Sequence, residues 1–174
     1  MKRSKALKLS LMGASALTLV ACDNSQEVGV FETIDQCVDK AGFTRDICEK
    51  NQKVAQSKHI QVSPKYTSLS DCETDFGSEK CEVAPQRTTS GGSVFMPMMM
   101  GYMMGRRNSM MSQPLYRSAK SPNSFRTAEN QNVGSKTGKT KVARSTTSRP
   151  TFKSSTLSRG GFGSSARRFG SAAT

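Results

Sequence analysis

Phe31-Glu-Thr-Ile-Asp-Gln-Cys37 and Tyr66-Thr-Ser-Leu-Ser-Asp-Cys72 are two copies of one short pattern, an aromatic residue six positions ahead of a cysteine. Each copy then passes a glycine–aromatic step, Gly42-Phe43 or Phe76-Gly77. Each reaches a second cysteine, Cys48 or Cys81, that is followed by a glutamate, Glu49 or Glu82. Thr33-x-x-Gln36 and Ser68-x-x-Asp71 have the spacing at which a hydroxyl caps the first turn of a helix. Gly42 and Gly77 stand where such short helices would end. Four cysteines permit three pairings. The repeat selects one: a capped helical turn, a glycine break and a return joining Cys37 to Cys48, and again Cys72 to Cys81. Closing a loop of about ten residues in this way stabilises a fold by roughly 2–3 kcal/mol in the chain-entropy model.

Between the two copies, Asp46 to His59 is rich in Glu, Lys and Gln, places Ile47, Val54 and Ala55 on one stripe, and has Pro64 beyond its end. This reads as a helix. The expected fold is a small, mainly α, disulfide-stapled head over residues 31–84, too small to hold together without its staples. A zinc site built from the four thiolates is the rival, but the spacings are unlike the two-to-four-residue knuckles of structural zinc. The only histidine, His59, has no nucleophile that the sequence places beside it, and reads as a solvated helix residue. No catalytic constellation is present, so no enzyme activity and no cofactor are expected.

Outside the head the chain is poor in core-forming residues. Apolar residues make up 34% of the 174 and aromatics 6%, and tryptophan is absent. Such a composition has little with which to offset backbone entropy, about 1–2 kcal/mol per ordered residue. Charge is divided unevenly: residues 22–90 carry a net −4 and residues 117–174 a net +11. The expected divisions are a signal at 1–21, a linker at 22–30, the head, a second linker at 85–93, a methionine-rich apolar segment at 94–116, and a disordered basic tail at 117–174.

The N-terminus reads as an export address. Met1-Lys-Arg-Ser-Lys5 is a positive opening, Ala6 to Val20 a short apolar run, and Leu19-Val20-Ala21-Cys22 its end. The run is too short for the ~20 residues that cross a bilayer. The ending resembles the lipobox of bacterial lipoproteins, which implies cleavage before Cys22 and acyl chains on it. Buried acyl chains contribute about 0.8 kcal/mol per CH₂, so two or three hold a protein firmly to a membrane. Asp23 and Asn24 follow, and an aspartate there resembles the enterobacterial signal for retention in the inner membrane. The expected location is the periplasmic side of the inner membrane, with the outer membrane as the alternative. That compartment is oxidising, which suits the disulfides.

Val94 to Met104 is eleven residues without charge, and Arg106-Arg107 follow. As a helix it would run about 16 Å, half of the hydrocarbon core. Pro97 suits a first helical turn, and Gly101 and Gly105 have small-xxx-small spacing. Three readings stay open. Phe95, Met96, Met100, Gly101, Met104, Gly105, Arg106 and Arg107 contact membrane or a partner; or the segment packs on the head; or Met96, Met100 and Met103 bind copper(I) or silver through soft thioether sulfur.

From Arg117 onward, Ser, Thr, Gly, Lys and Arg dominate, with Arg159-Gly-Gly-Phe-Gly163 and Arg167-Arg-Phe-Gly170 resembling arginine–glycine tails that bind RNA. An exported chain meets little RNA, so no nucleic-acid partner is expected. Anionic lipid, the acidic cell wall or an acidic protein are the expected partners of this charge, beside the membrane lipid reached through Cys22. A merely solvated tether is the bland alternative.

The order of lipobox, two cysteine pairs, Phe95-Met-Pro-Met-Met-Met-Gly-Tyr-Met-Met-Gly-Arg106, Gln113-Pro-Leu115 and Arg159-Gly-Gly-Phe-Gly163 resembles the YgiB family of proteobacterial proteins, a domain of unknown function. The likeness covers nearly the whole chain after Cys22. It brings no established activity; relatives of the family resemble neighbours of an ATP-grasp enzyme similar to glutathionylspermidine synthase. The function expected is a membrane-anchored, non-enzymatic interaction or structural protein. A soft-metal lipoprotein and an accessory subunit of an envelope enzyme complex are the alternatives.

Overall fold

A computed structural model describes residues 24–105 and 111–150. It is mainly β, not mainly α. A six-stranded sheet is built from β1 (Ser25–Phe31), β4 (Gly101–Gly105), β5 (Gln113–Ser118), β6 (Ser121–Arg126), β7 (Asn132–Gly134) and β8 (Gly138–Ala143). The strand order is β7-β6-β5-β4-β1-β8, antiparallel throughout. A hairpin of β2 (Cys81–Arg87) and β3 (Ser93–Pro97) stands apart from it. Three helices, α1 (Ile34–Ala41), α2 (Arg45–Val62) and α3 (Leu69–Phe76), complete the described fold with a short 3-10 turn at Arg144–Thr147.

The helices begin and end where their local chemistry dictates. Thr33 Oγ1 accepts from the Gln36 backbone N–H at 3.2 Å, and Gln36 Oε1 accepts from the Glu32 N–H at 3.0 Å. Gly42 closes α1 at φ 71°, a left-handed conformation that costs glycine little. Ser68 caps α3 in the same way as Thr33 caps α1. The disulfides are Cys37–Cys48, which joins α1 to α2, and Cys72–Cys81, which joins α3 to β2. These are the pairs that the repeat selects.

The sheet has two buried faces. Phe31, Tyr102 and Met104 point to the helix side, where they pack with Cys37, Ala41, Cys48 and Ala55. The opposite side holds Val28, Val30, Met103, Leu115, Phe125, Val133 and Val142, a cluster that draws on all six strands. One cluster can touch both edge strands because the sheet curls toward a barrel. Gly101 permits the curl: a Cβ there would stand 2.7 Å from the Phe31 carbonyl oxygen and 3.3 Å from the Phe125 ring.

Three expectations are thereby corrected. Residues 25–30, expected within the linker at 22–30, form β1 together with Phe31, paired with β4 on one side and β8 on the other. The methionine-rich segment is not a helix: it supplies β3 to the hairpin and β4 to the sheet. All five residues of β4 are buried, so the strand reads as an unbroken apolar run rather than an alternation. Residues 117–150, expected as disordered, form β6, β7, β8 and the end of β5. Phe125, Val133 and Val142 each give that stretch an inward side chain, worth about 1.5–3 kcal/mol on burial. Lys139 and Lys141 of β8 point outward between them. The final stretch, 151–174, with the arginine–glycine motifs, lies outside the described residues, as does the signal at 1–21.

Candidate functional site

Asn24 is the first of the described residues, and the elements around it form a cationic end. The Arg144 backbone N–H donates to the Asn24 carbonyl at 3.0 Å. Thr147 Oγ1 donates to Gln26 Oε1 at 2.8 Å, so the 3-10 turn is fastened across the start of β1. Gln113, at the start of β5, donates from Nε2 to the Ser148 carbonyl at 2.9 Å and to the Thr147 carbonyl at 3.3 Å. From α2, Lys58 Nζ reaches the Ser112 carbonyl at 2.9 Å. Residues from α2, β1, β5 and the 3-10 turn thus meet at one place, although they lie far apart in the chain.

The charges here are mostly positive. Arg144 and Arg149 are exposed, while Lys58 is half-buried. Burial, and then the charge of Arg149 nearby, lower the Lys58 pKa. Glu27, the acid of this stretch of β1, faces Lys141 across the β1–β8 pair. The Ser112 hydroxyl and Gln113 Oε1 are buried without a hydrogen-bond partner. Lys58 and Arg149 thus lie in each other's field at this end.

The residues singled out from sequence are distributed differently. Cys22, Asp23, Arg106 and Arg107 lie outside the described residues, and Asn24 is at the cationic end. Phe95 is half-buried in β3 and bridges to Tyr66. Met96 is buried with Ala84 and Val94, and its sulfur accepts from Ser63 Oγ at 3.3 Å. Gly101, Met103, Met104 and Gly105 are all interior. The membrane- or partner-contact reading of Met96, Gly101, Met104 and Gly105 is therefore corrected: strand β4 and the hairpin bury them inside the domain. The three sulfurs weighed as a soft-metal set are not brought together. Met96 is under the hairpin, Met103 is in the inner face of the sheet, and Met100 is half-buried between β3 and β4.

The family described as "Protein of unknown function (DUF1190)" matches residues 25–172 of this sequence. The chain belongs to the DUF1190 family. Its DUF1190 match begins at Ser25, the first residue of β1. Among curated relatives, the UPF0441 protein of Sodalis glossinidius is 32% identical, with 89% of this chain and 79% of that protein covered. The UPF0441 protein of Erwinia tasmaniensis is 33% identical over 90% of this chain and 79% of its own length. One from Yersinia pestis is 32% identical over the same shares. UPF0441 is the YgiB family, the resemblance drawn from the Met-Pro block and the cysteine pairs. No solved structure matches.

One buried constellation of this DUF1190 chain was not expected. His59 is 6% exposed and hydrogen-bonded at both ring nitrogens, Nδ1 to the Tyr116 hydroxyl at 2.9 Å and Nε2 to Glu82 Oε1 at 3.1 Å. Burial lowers its pKa against the opposing pull of Glu82, which fits a neutral ring donating from Nε2 to the carboxylate and accepting from Tyr116. The Tyr66 hydroxyl donates to Asp75 at 2.8 Å nearby, within the cluster of Tyr66, Phe76 and Tyr116. The signal was available in the sequence. Cys48, Asn51, Ala55, His59 and Val62 recur at helical spacing and are the buried stripe of α2.

Proposed function

We propose that this chain is a non-enzymatic lipoprotein whose folded domain stands directly on the periplasmic face of the inner membrane, held by acyl chains on Cys22. The observation that carries this reading is a spacing. Ser25, the first residue of β1, follows Cys22 by three positions, at most about 10 Å of extended chain. The Asn24 carbonyl is already bonded to Arg144. Acyl chains at Cys22 therefore leave the domain no tether on which to swing away, and they hold its cationic end against headgroups. Basic residues near an anionic surface contribute about 1 kcal/mol each. Residues 151–174 add four more Lys/Arg and no acid to the charge of the chain.

The non-enzymatic part rests on what the interior does with its reactive groups. His59, Tyr116, Tyr66 and Asp75 are buried and satisfied by partners within the protein. A depression of about 450 Å³ is lined by Asp46, Glu49, Lys50, Lys53, Val54 and Ser57 of α2 and by none of those groups. The domain is best read as a rigid module that presents a surface close to the bilayer. The soft-metal alternative draws no support from the separation of Met96, Met100 and Met103.

Fractionation of cells and mass spectrometry of the mature N-terminus test the proposal. The expected result is a membrane-bound chain beginning with acylated Cys22, and an unacylated Cys22→Ser variant lost from that form. A Cys22→Ser variant that is processed and retained in the membrane like the wild type contradicts it.

A further inference from the structure

We propose that His59 is a pH-sensitive latch: acidification protonates its ring and lets the β2–β3 hairpin lift from α2. The device belongs to the folded domain and does not depend on the anchor at Cys22.

The hairpin is the part of the fold best placed to move by itself. It is a separate two-stranded sheet and shares no ladder with the six-stranded one. Its base is tied, because Cys81 is bonded to Cys72 of α3, and the Phe95 N–H and carbonyl pair with Tyr66. Against α2 and its C-terminal end it is held by side chains. Glu82 reaches His59, Met96 accepts from Ser63, and Gln86 Nε2 donates to the Ile60 carbonyl at 3.1 Å. Of these links, the one between His59 and Glu82 contains the group that changes charge between about pH 5 and 8.

The ring is bonded as a neutral imidazole, accepting at Nδ1 from Tyr116 and donating from Nε2 to Glu82. A proton added at Nδ1 is directed at the Tyr116 oxygen, and the phenol must turn its own proton elsewhere. The new charge then sits in a residue only 6% exposed. Glu82, on β2, opposes that cost, but its side chain is 42% exposed and its attraction is shared with water. Lys65, just beyond α2, adds like charge. The remaining groups packed here act at one remove: Glu129 on Tyr116 of β5, and Asp75 of α3 through its bond from Tyr66. Charging the ring therefore disfavours the latched state, and lifting of the hairpin relieves it by admitting water. The lift uncovers Ala84, Val94 and Met96, so the acid form presents an apolar face that the neutral form conceals. The disulfide at the base keeps the movement local.

His59 is the sole histidine of the chain, so its ring signals in the NMR spectrum of the oxidised mature protein are unambiguous. The ring should titrate below the ordinary value of about 6.5. Hydrogen exchange, corrected for its intrinsic pH dependence, should show the amides of β2 and β3 losing protection roughly tenfold per pH unit below that value, while those of β1 and β4 keep theirs. Glu82→Gln, at a part-exposed position, should move the ring titration down by about one pH unit. In His59→Gln the acid-induced loss of hairpin protection should vanish. The wild-type titration and Glu82→Gln decide the matter if His59→Gln does not fold. A ring that titrates at or above about 6.5, or does not respond to Glu82→Gln, would overturn the latch. So would hairpin protection that stays constant on acidification, that falls equally in β1 and β4, or that still falls in His59→Gln.

Discussion

Replacing Gly101 with alanine separates the curled sheet from a helical reading of the same residues by the sign of one stability change. In a helix, Gly→Ala stabilises by about 1 kcal/mol. In an open strand it also stabilises, by roughly 0.5–1 kcal/mol, because glycine loses more backbone freedom on folding. In this fold the added Cβ would stand 2.7 Å from the Phe31 carbonyl oxygen, a backbone atom in the adjacent strand, and 3.3 Å from the Phe125 ring. The first distance is far inside van der Waals contact, and β1 is paired on both edges, so it cannot simply retreat. Overpacking of this kind costs about 1–3 kcal/mol, which outweighs the entropic gain and leaves a net loss of about 1–2 kcal/mol. For a domain of this size that is a fall in melting temperature of about 4–8 °C. Urea and thermal denaturation of the oxidised mature chain, followed by circular dichroism, read it directly. A Gly101→Ala variant as stable as the wild type, or more so, would refute the close approach of β1 and β4.

Two further outcomes follow from the same packing. Removing the Cys37–Cys48 link as a Cys37→Ala/Cys48→Ala pair should cost about 3 kcal/mol, from an eleven-residue separation under the sheet, measured as a shift in urea midpoint. Burial lowers the Lys65 ammonium to about 8. The unfolded chain then binds more protons than the native one between pH 8 and about 10, so stability should rise with pH across that window. It should lose that rise in Lys65→Met; an unchanged slope would show that Lys65 is not desolvated. Above pH 10 the trend should reverse. The buried hydroxyls of Tyr66, Tyr102 and Tyr116 have raised pKa values and stay protonated in the native state while the unfolded tyrosines ionise.

The parts of this fold that were legible in the sequence are the ones written locally. A hydroxyl three residues ahead of its partner, a glycine at a helix end and two cysteines about ten apart all act within one turn or loop, and Thr33, Gly42 and the two disulfides are where such spacing puts them. The sheet was not legible, because its pairings join distant residues: Ser25 lies opposite Ala143. β1 carries only Val28, Val30 and Phe31 as large apolar residues and passes for a linker until β4 and β8 flank it. β8 offers Val142 among lysines and threonine, too faint an alternation to separate from a polar tail. Methionine and glycine have weak strand preference, so Gly101–Gly105 suggested a helix where burial on both faces makes a central strand. The cationic end was hidden for the same reason. Lys58, Arg144 and Arg149 come from α2 and from the turn after β8, and only the tertiary fold brings them beside Asn24.

The central claim is that the domain rests on the bilayer by the end that holds Asn24. A nitroxide at Ser145→Cys, in the 3-10 turn, and another at Lys120→Cys, beyond the far end of β5, compare the two ends on the acylated protein in vesicles. The strand between Gln113 and Lys120 separates them by about 20 Å. Relaxation by a nickel chelate carried on the lipid headgroup should be strong at position 145 and weak at position 120. Equal relaxation, or the stronger effect at 120, would contradict the account.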